Sequence, residues 1–331
     1  MAILLGLGWL TYYLPPKSAT ALSLVNLVVP ILLVLHFLYV LFWTFKKKKK
    51  ALLSLTCLIL SSLIYGIFYS FSSSQEIQPN DGFSLMSYNV RGLNSYQQLP
   101  IKNVDSAIFD FVVQESPDFF CVQESHHTMK LKGSLDRIYP YKFVDFIYGV
   151  PATSVINSFY SKYPIISCQV LNFSKSDNGA LFADIVIRND TIRIYNVHLQ
   201  SFNVVPDVVH LQNEPSGKLF KRVIRVLERQ EEQAVIIKEH IDSSPYPVLL
   251  AGDFNNTQFS KVYRVMRGDL QDSFLEAGFG FGKTFKIFNL PMRIDYIFAD
   301  EHFEVMEHTN YNIELSDHEP VRARLKLKSD K

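Results

Sequence analysis

Hydrophobic and polar positions divide the chain into an apolar N-terminal part and a longer part built from short alternating runs. Residues 18–45 and 51–75 contain no charged side chain. Within them, residues 21–45 and 51–71 are each long enough to cross about 30 Å of hydrocarbon as a helix. We therefore predict two transmembrane helices over these ranges, with a possible third, short span over residues 1–14.

The loop between the two predicted spans carries five consecutive lysines, residues 46–50. Positively charged loops stay on the cytoplasmic side of a membrane, so the chain after residue 71 is expected on the outer face. Two buried core helices of a soluble protein are the alternative interpretation. That alternative is disfavoured because no soluble core would bury the lysines between the helices.

After a polar linker at residues 72–81, the pattern changes to β-branched and aromatic runs, several of which alternate. Such runs predict strands over residues 83–90, 118–123, 154–161, 181–187, 191–199, 248–252, 293–299 and 321–327. A helical apolar period predicts helices over residues 101–115 and 217–242. Asn189 and Asp190 predict a hairpin turn. The fold class expected is α/β or α+β, with two packed sheets and helices outside.

Charge is unevenly distributed, although the net charge of the chain is only +1. Residues 1–79 hold six basic side chains and one acidic side chain, so the remainder carries a net charge of −4. This balance is not that of a strongly basic nucleic-acid-binding protein. The three cysteines exclude a disulfide scaffold and a cysteine-based zinc site of the usual spacing.

Polar side chains recur where the predicted strands begin or end. Because strand ends meet on one rim of a sheet, we expect these side chains to lie close together. Carboxylate, amide and imidazole groups in one place are typical of a site for a hard cation. Each short motif alone is more typical of a turn or a cap, so the prediction depends on the whole set. The set comprises Asn89, Arg91, Glu124, Asn196, His198, Asp253, Asn255, Asp295, Asp317 and His318.

Six motifs occur in the order SYNVRG, VQES, NVHLQS, GDFNNT, RIDYIF and SDHEPV. In this they resemble the endonuclease/exonuclease/phosphatase superfamily, and the resemblance covers residues 82–328. It implies a four-layer α/β/β/α sandwich for this catalytic domain. The membrane anchor that precedes it, residues 1–71, is predicted from the hydrophobic pattern and lies outside the resemblance. The combination also resembles bacterial membrane members of the superfamily, which implies an inner-membrane protein with a periplasmic catalytic domain.

The resemblance also implies a metal site. Glu124 would be the principal Mg²⁺ ligand, with Asn89 and Asp317 close to the metal. Mn²⁺ is an alternative because both cations accept oxygen ligands. Arg91 and Asn196 are weaker candidates for contact with a phosphate group.

Catalytic roles follow from the same resemblance. His318 would act as general base or hold the phosphate, and Asp295 would accept a hydrogen bond from it and fix its tautomer. Asp253 and Asn255 would bind the attacking water or assist the leaving oxygen. His198 would donate to a non-bridging phosphate oxygen.

The activity implied is Mg²⁺-dependent hydrolysis of a phosphate ester, with an endonuclease-like nuclease as the first hypothesis. A phospholipid or sphingomyelin phosphodiesterase is the alternative, because an anchor holds the domain near lipid headgroups and residues 198–200 resemble the sphingomyelinase branch. A non-catalytic tethered binding domain is a third hypothesis and predicts a poorly formed metal site. The expected partners are a nucleic-acid or phospholipid phosphodiester and, through residues 1–71, the lipid bilayer; no protein partner is predicted.

Overall fold

The computed structural model describes the chain except residues 47–48, 72–81, 96, 98, 126–132, 145–155, 174–175, 177, 203–215, 288–289 and 329–331. The α-helices of the described residues are α1 (Ala2–Tyr13), α2 (Leu24–Phe45), α3 (Ala51–Tyr65), α4 (Val104–Glu115), α5 (Gly133–Asp136), α6 (Ser216–Asp242), α7 (Lys261–Arg267) and α8 (Ser273–Ala277). The strands are β1 (Ser70–Phe71), β2 (Phe83–Asn89), β3 (Phe119–Ser125), β4 (Tyr141–Val144), β5 (Ile156–Ser161), β6 (Ile165–Asn172), β7 (Gly179–Ile187), β8 (Asp190–His198), β9 (Val248–Asp253), β10 (Gln271–Asp272), β11 (Phe279–Gly280), β12 (Phe285–Ile287), β13 (Leu290–Met292), β14 (Asp295–Ala299), β15 (Phe303–Asn310) and β16 (Val321–Leu327).

The chain forms two compact units that do not follow chain order. The first, the helical unit, comprises Met1–Phe68, Phe202–Lys238 and Asn256–Gly268. The second, the sandwich unit, comprises Tyr69–Ser201, Glu239–Asn255 and Asp269–Lys331. The predicted linker at residues 72–81 lies outside the described residues, and the division between anchor and catalytic domain stays a prediction.

Helices α1, α2 and α3 pack together in the helical unit through small and polar side chains. Trp9 Nε1 donates to Ser61 Oγ at 3.1 Å, and Thr11 Oγ1 donates to Asn26 Oδ1 at 3.1 Å. A Cβ at Gly8 would lie 3.0 Å from the Tyr65 hydroxyl and 3.1 Å from Val29 Cγ2, so only a small residue allows this close approach. Helices that associate in lipid pack in the same way.

The segment Thr20–Phe45 is long and apolar enough to cross a membrane, by length and composition. The helical span predicted over residues 51–71 is too long, because α3 ends at Tyr65 and residues 70–71 form strand β1. With 15 residues, α3 rises only about 22 Å, and the 12-residue α1 is shorter still. That α1, α2 or α3 enters a bilayer stays a prediction.

The sandwich unit contains two six-stranded sheets, ordered β15-β16-β2-β3-β5-β4 and β10-β14-β9-β8-β7-β6. Each contains one parallel pair, β2 with β3 and β8 with β9, and the other described pairs are antiparallel. Side chains such as Leu85 and Phe119 pack against Leu181 and Ile194 to form the core between the sheets. Helix α4 covers the outer face of the first sheet. The predicted sandwich of two sheets with helices outside is confirmed.

The predicted hairpin turn is displaced by one residue. Strand β7 ends at Ile187 and pairs there with Asp190, so the two loop residues are Arg188 and Asn189. Arg188 has a φ of 56°, the left-handed conformation that a tight two-residue turn requires.

Candidate active site

Strand pairing places three polar side chains in one row at an end of the second sheet. His198 ends β8 and pairs with Asp253 at the end of the parallel strand β9. Asp253 pairs in turn with Asp295 at the start of the antiparallel strand β14. Residues in register on neighbouring strands share a face of the sheet, so the three side chains lie side by side. All three are buried.

The first sheet contributes an amide and a carboxylate from its own parallel pair. Asn89 ends β2 and pairs with Gln123 of β3, and Glu124 follows with a φ of 50° at an irregularity in the pairing of β3. A bulge of this kind redirects the side chain of a strand residue. Asn89 Nδ2 donates to Glu124 Oε1 and to Asp253 Oδ2, both at 3.0 Å. Asn89 therefore connects the ends of the two sheets.

His318 joins the row from the segment before β16. Its Nδ1 lies 3.0 Å from Asp295 Oδ2, and its Nε2 lies 3.7 Å from Asp253 Oδ2. One ligand atom from each of these three residues lies within 4.8 Å of the others. Asp295 thus holds the imidazole and turns Nε2 toward Asp253, and the catalytic role of the two residues stays a prediction.

Two hydroxyl groups that the sequence did not single out support these residues. Ser316 Oγ donates to the backbone oxygen of Asn89 at 2.9 Å and accepts from the backbone N–H of His318 at 3.3 Å. Thr284 Oγ1 accepts from the backbone N–H of Asp295 at 3.1 Å. Ser316 directly precedes the Asp-His pair, which is a usable sequence signal, whereas nothing in the sequence marks Thr284.

Asn255 and Asp317 lie beside the row. The backbone N–H of Asn255 donates to Asp253 Oδ1 at 2.7 Å, and its side chain donates to the backbone oxygen of Leu199 at 3.0 Å. Asn255 therefore holds the loop after β9 and the carboxylate of Asp253. Asp317 Oδ2 lies 2.6 Å from Arg91 Nη1, so the structure brings Arg91 to the site as the counter-ion of Asp317.

Asn196 is placed differently from the other predicted residues. It is buried between the sheets, where its Nδ2 donates to the backbone oxygens of Val122 and Ser158. Its Oδ1 accepts from Gln123 Nε2 at 2.6 Å. These contacts join the two sheets and give Asn196 a structural role, and nothing in the geometry supports the phosphate contact predicted for it.

His198 has no hydrogen-bond partner at either ring nitrogen among the described residues, although it is buried. Its Nε2 lies 3.6 Å from Asp253 Oδ2 and 3.7 Å from Glu124 Oε1. Burial lowers the pKa of His198, so the ring is neutral near pH 7. One nitrogen of the neutral His198 ring carries a hydrogen that has no acceptor among the described residues. A ligand with an acceptor oxygen would satisfy this buried N–H.

The pKa values of His318 and Asp253 are both raised, but by different causes. Burial alone would lower the pKa of His318, but the carboxylates of Asp295 and Asp253 outweigh it and raise the pKa above its usual value. Burial raises the pKa of Asp253, while the charge of His318 and the N–H of Asn255 oppose that rise. His318 is therefore an imidazolium near pH 7, and the basicity of Asp253 lies closer to neutrality than that of an exposed aspartate.

The donor set fits a hard divalent cation. Glu124 and Asp253 offer carboxylate oxygens on either side of Asn89, and Asp295 with His318 continues the same group. Asn89 presents its Nδ2 to the two carboxylates, and a half-turn of the amide would present its oxygen there instead. Of the ligands predicted from the sequence, Glu124 and Asn89 are brought together, while Asp317 is paired with Arg91.

Comparison with known sequences agrees with this geometry. The model of the Endonuclease/Exonuclease/phosphatase family matches residues 86–318. The chain belongs to this family. Its members are hydrolases that act on phosphoester bonds and generally depend on a divalent metal. A second model, described as Domain of unknown function (DUF8431), matches residues 1–67.

Individual relatives are distant. Protein angel homolog 2 of Danio rerio is 26% identical over 201 residues, which cover 56% of this chain and 35% of the relative. The chain thus spans about a third of the length of that curated relative. An endonuclease/exonuclease/phosphatase structure from Beutenbergia cavernae has a TM-score of 0.58 at 19% identity, covering 75% of this chain and 72% of the other. Humanized D. rerio TDP2 has a TM-score of 0.54 at 15% identity, covering 74% and 98%. These structures share the fold of this chain.

Proposed function

We propose that this chain is a membrane-anchored, Mg²⁺-dependent phosphodiesterase, with nucleic acid as the first substrate class. The observation that carries the proposal is the convergence of the parallel strand pairs of both sheets on one buried polar site. This site brings together Asn89, Glu124, His198 and Asp253. The carboxylate of Asp295 orients His318 beside them. A domain kept only for binding requires none of these contacts, so their presence favours an enzyme.

The protein groups at the site divide between phosphate binding and proton transfer. Neutral His198 has an N–H available for a non-bridging phosphate oxygen, and the imidazolium of His318 supplies a charged donor. Asp253 accepts a proton from the attacking water, because its raised pKa makes it a better base at neutral pH. As the water oxygen bonds to phosphorus, the bond from phosphorus to the leaving oxygen breaks.

A divalent cation held by Glu124, with Asn89 and Asp253 beside it, would neutralise phosphate charge and stabilise the charge that develops during transfer. Mg²⁺ is the ion proposed because the donors are oxygen atoms and one or two carboxylates suffice for it. Asn255 acts on both carboxylate oxygens of Asp253: its backbone N–H donates to Oδ1, and its Nδ2 donates to Oδ2, which also accepts from Asn89.

The membrane anchor is supported by the surface of the helical unit. Large apolar side chains are exposed along α2 and α3, and in water such a continuous surface is unfavourable. In lipid the same surface is stable, and the lysines at residues 46–50 favour a cytoplasmic α2–α3 loop. On this proposal the sandwich unit lies on the extracytoplasmic, periplasmic side. The exposed side chains include Leu27, Ile31, Leu35, Leu38, Phe42, Leu52, Leu55, Ile59 and Leu63.

A lipid phosphodiester is the second candidate substrate. Basic side chains on the segments that carry the site are engaged in ion pairs, Lys283 with Glu319 at 2.7 Å and Lys286 with Glu314 at 2.6 Å. Arg91 is likewise paired with Asp317. Nucleic-acid affinity depends on the number of phosphates that lysine and arginine neutralise. A small headgroup needs fewer unpaired basic groups than a long polyanion, and this is the observation that supports the lipid candidate.

The test uses the full chain, purified in detergent and reconstituted into vesicles, because the helical unit combines segments from both sides of the predicted linker. Supercoiled plasmid, sphingomyelin and bis(p-nitrophenyl) phosphate are incubated with Mg²⁺ or with EDTA. We expect metal-dependent hydrolysis that falls by about 10²-fold or more in Asp253→Asn and His318→Gln. Glu304→Gln removes an exposed carboxylate of β15 and is the matched control, expected to retain full activity.

The substrate panel separates the candidates. Plasmid nicking identifies a nuclease, and headgroup release without nicking identifies a lipid phosphodiesterase. If no substrate is cleaved and Mg²⁺ does not raise the melting temperature, the proposal is wrong and the tethered binding domain becomes the better hypothesis.

A further inference from the structure

We propose that an exposed aromatic cluster of the sandwich unit is a surface that contacts the lipid bilayer. The cluster consists of Tyr69, Phe71, Phe279 and Phe281. The ring of Tyr69 lies 4.6 Å from that of Phe71, 5.9 Å from Phe279 and 4.9 Å from Phe281, between centroids. The three phenylalanines are 80%, 68% and 47% exposed. Three exposed phenylalanine rings thus surround the partly buried ring of Tyr69.

The cluster is held together by backbone pairing. Strands β1 and β11 are antiparallel, with Ser70 opposite Gly280 and Phe71 opposite Phe279. Residues paired across two strands share a face, which brings Phe71 and Phe279 together. The pairing connects two segments that are about 200 residues apart in the sequence.

A tight turn displays Phe281 beside these strands. Gly280 and Gly282 have φ values of 85° and 63°, which side chains other than glycine rarely adopt. A Cβ at Gly282 would come within 2.7 Å of Phe274 and 2.9 Å of Arg293, so the backbone lies directly on these side chains. Phe281 is therefore presented on a turn fixed against the protein.

The position of the cluster in the sequence supports lipid as the partner that covers it. Tyr69 follows the end of the apolar helix α3 by four residues. Neither residues 66–71 nor residues 278–282 contain a charged side chain. Aromatic side chains are preferred at the level of the lipid headgroups, where an apolar ring meets water. An exposed, uncharged aromatic surface that follows an apolar helix closely in the sequence fits the bilayer interface.

The segment that carries Phe281 continues into the active site. Three residues further on, Thr284 accepts the backbone N–H of Asp295 and its own backbone oxygen accepts from Glu319. Phe285 then pairs with His318, and their rings lie 4.7 Å apart. Contact of the cluster with lipid would therefore restrain the segment that orients the catalytic pair. This step rests on the proposed function.

Depth-dependent fluorescence quenching tests the lipid contact directly. Phe279→Trp and Phe281→Trp are placed in the full chain, with Trp9→Phe and Trp43→Phe to remove the native fluorescence. Vesicles contain phosphatidylcholine with a nitroxide either near the headgroup or deep in the acyl chain. We expect strong quenching by the shallow nitroxide and weaker quenching by the deep one. Tyr141→Trp, exposed on β4 of the same unit, is the control and should stay unquenched.

Two results would overturn the proposal. Quenching at positions 279 and 281 no greater than at position 141 would show that the rings do not reach the bilayer. The second result is tryptophan emission at positions 279 and 281 that changes with the ratio of protein to lipid while neither nitroxide quenches it. That result would show that the cluster contacts another protein molecule and not lipid.

An activity measurement tests the consequence for the site. The double variant Phe279→Ser/Phe281→Ser should hydrolyse a vesicle-borne phosphodiester about tenfold more slowly, because the two rings no longer bury apolar surface in lipid. Hydrolysis of bis(p-nitrophenyl) phosphate should be unchanged. An equal loss on both substrates would overturn the link between lipid contact and catalysis. Inactivity of the unaltered chain on both would overturn the proposed function, while the quenching result would stand.

Discussion

Asp295 controls the charge of His318 at the scale of a single residue. Its carboxylate is 3.0 Å from His318 Nδ1 and, against the effect of burial, raises the pKa of the imidazole. Asp295→Asn removes that charge, so the imidazolium should lose its proton at a lower pH. We expect kcat to fall by about 10²–10⁴-fold and the alkaline limb of the pH–rate profile to move toward acid. Hydrolysis of bis(p-nitrophenyl) phosphate by the full chain measures both.

Glu304→Gln supplies the control, because Glu304 is an exposed carboxylate on β15. Its profile should match that of the unaltered chain. An Asp295→Asn variant that is slower but keeps its alkaline limb in place would show that Asp295 does not set the charge of His318.

His308 gives a prediction about stability and pH. Burial lowers the pKa of His308 to about 4, below the value near 6.5 expected in the unfolded chain. Between these pH values the unfolded chain binds a proton that the folded chain does not, so stability falls as the pH falls through this window. The loss between pH 7 and pH 5 should be about 2 kcal/mol. Chemical unfolding of His308→Gln should lack this component, whereas exposed His302→Gln should keep it.

Residue identity indicated which polar side chains gather at the strand ends, but not how deep each side chain lies in the sandwich. Asn196 and His198 are two residues apart on β8 and share one face, so the strand pattern treats them alike. His198 ends the strand and meets Asp253, whereas Asn196 lies one step further in and bonds to the opposite sheet. The difference depends on how the two sheets are stacked, which one strand does not reveal.

At the scale of elements, the strands predicted from the sequence agree with the structure within two residues at either end. Strands β6 and β15 were not predicted as strands. Each carries a register shift, between Ile165 and Ser167 in β6 and between Val305 and Glu307 in β15. A bulge adds a residue and reverses the alternation midway. The period-two pattern is therefore broken in both strands, and the sequence signal is lost.

Buried charges in the helical unit join α6 and α7 to the connection between α1 and α2. Glu231 and Lys261 are buried and lie 3.2 Å apart. Glu231 also accepts from the backbone N–H of Lys17 at 2.6 Å, and Lys261 donates to the backbone oxygen of Ser18 at 2.9 Å. Glu231→Gln would leave the ammonium without its counter-charge. We expect a loss of about 3–5 kcal/mol in the free energy of unfolding, measured by chemical unfolding in detergent.

The neighbouring Glu232→Gln, on an exposed side chain, should cost little. Combining Glu231→Gln with Lys261→Met should recover part of the loss, because the unpaired charge is then removed. If the double variant is as unstable as the sum of the two single variants, the pair is not coupled and the argument from charge burial is wrong.

At the scale of the whole molecule, the sequence divides the chain at the polar linker, whereas the compact helical unit combines residues from both sides of it. Besides the Glu231 contacts, Arg264 Nε donates to the backbone oxygen of Tyr12 at 2.6 Å, and Gln258 Nε2 to that of Tyr65 at 3.2 Å. These side chains cap the C-terminal ends of α1 and α3, whose last carbonyls have no partner within the helix. Such long-range side-chain contacts leave no periodic signal in the sequence.

A truncated chain tests whether the apolar helices are a simple tether. The piece 80–331 keeps every residue of the candidate active site but removes the acceptors of Gln258, Lys261 and Arg264 and the donors to Glu231. Each hydrogen bond lost costs about 0.5–1.5 kcal/mol, and about 1.5–3 kcal/mol where a charged group takes part, so several together approach the total stability of a domain. We expect this piece to melt well below the full chain or to aggregate. Residues 1–71 supplied in trans should restore its melting temperature, and an equal melting temperature without them would establish a tether.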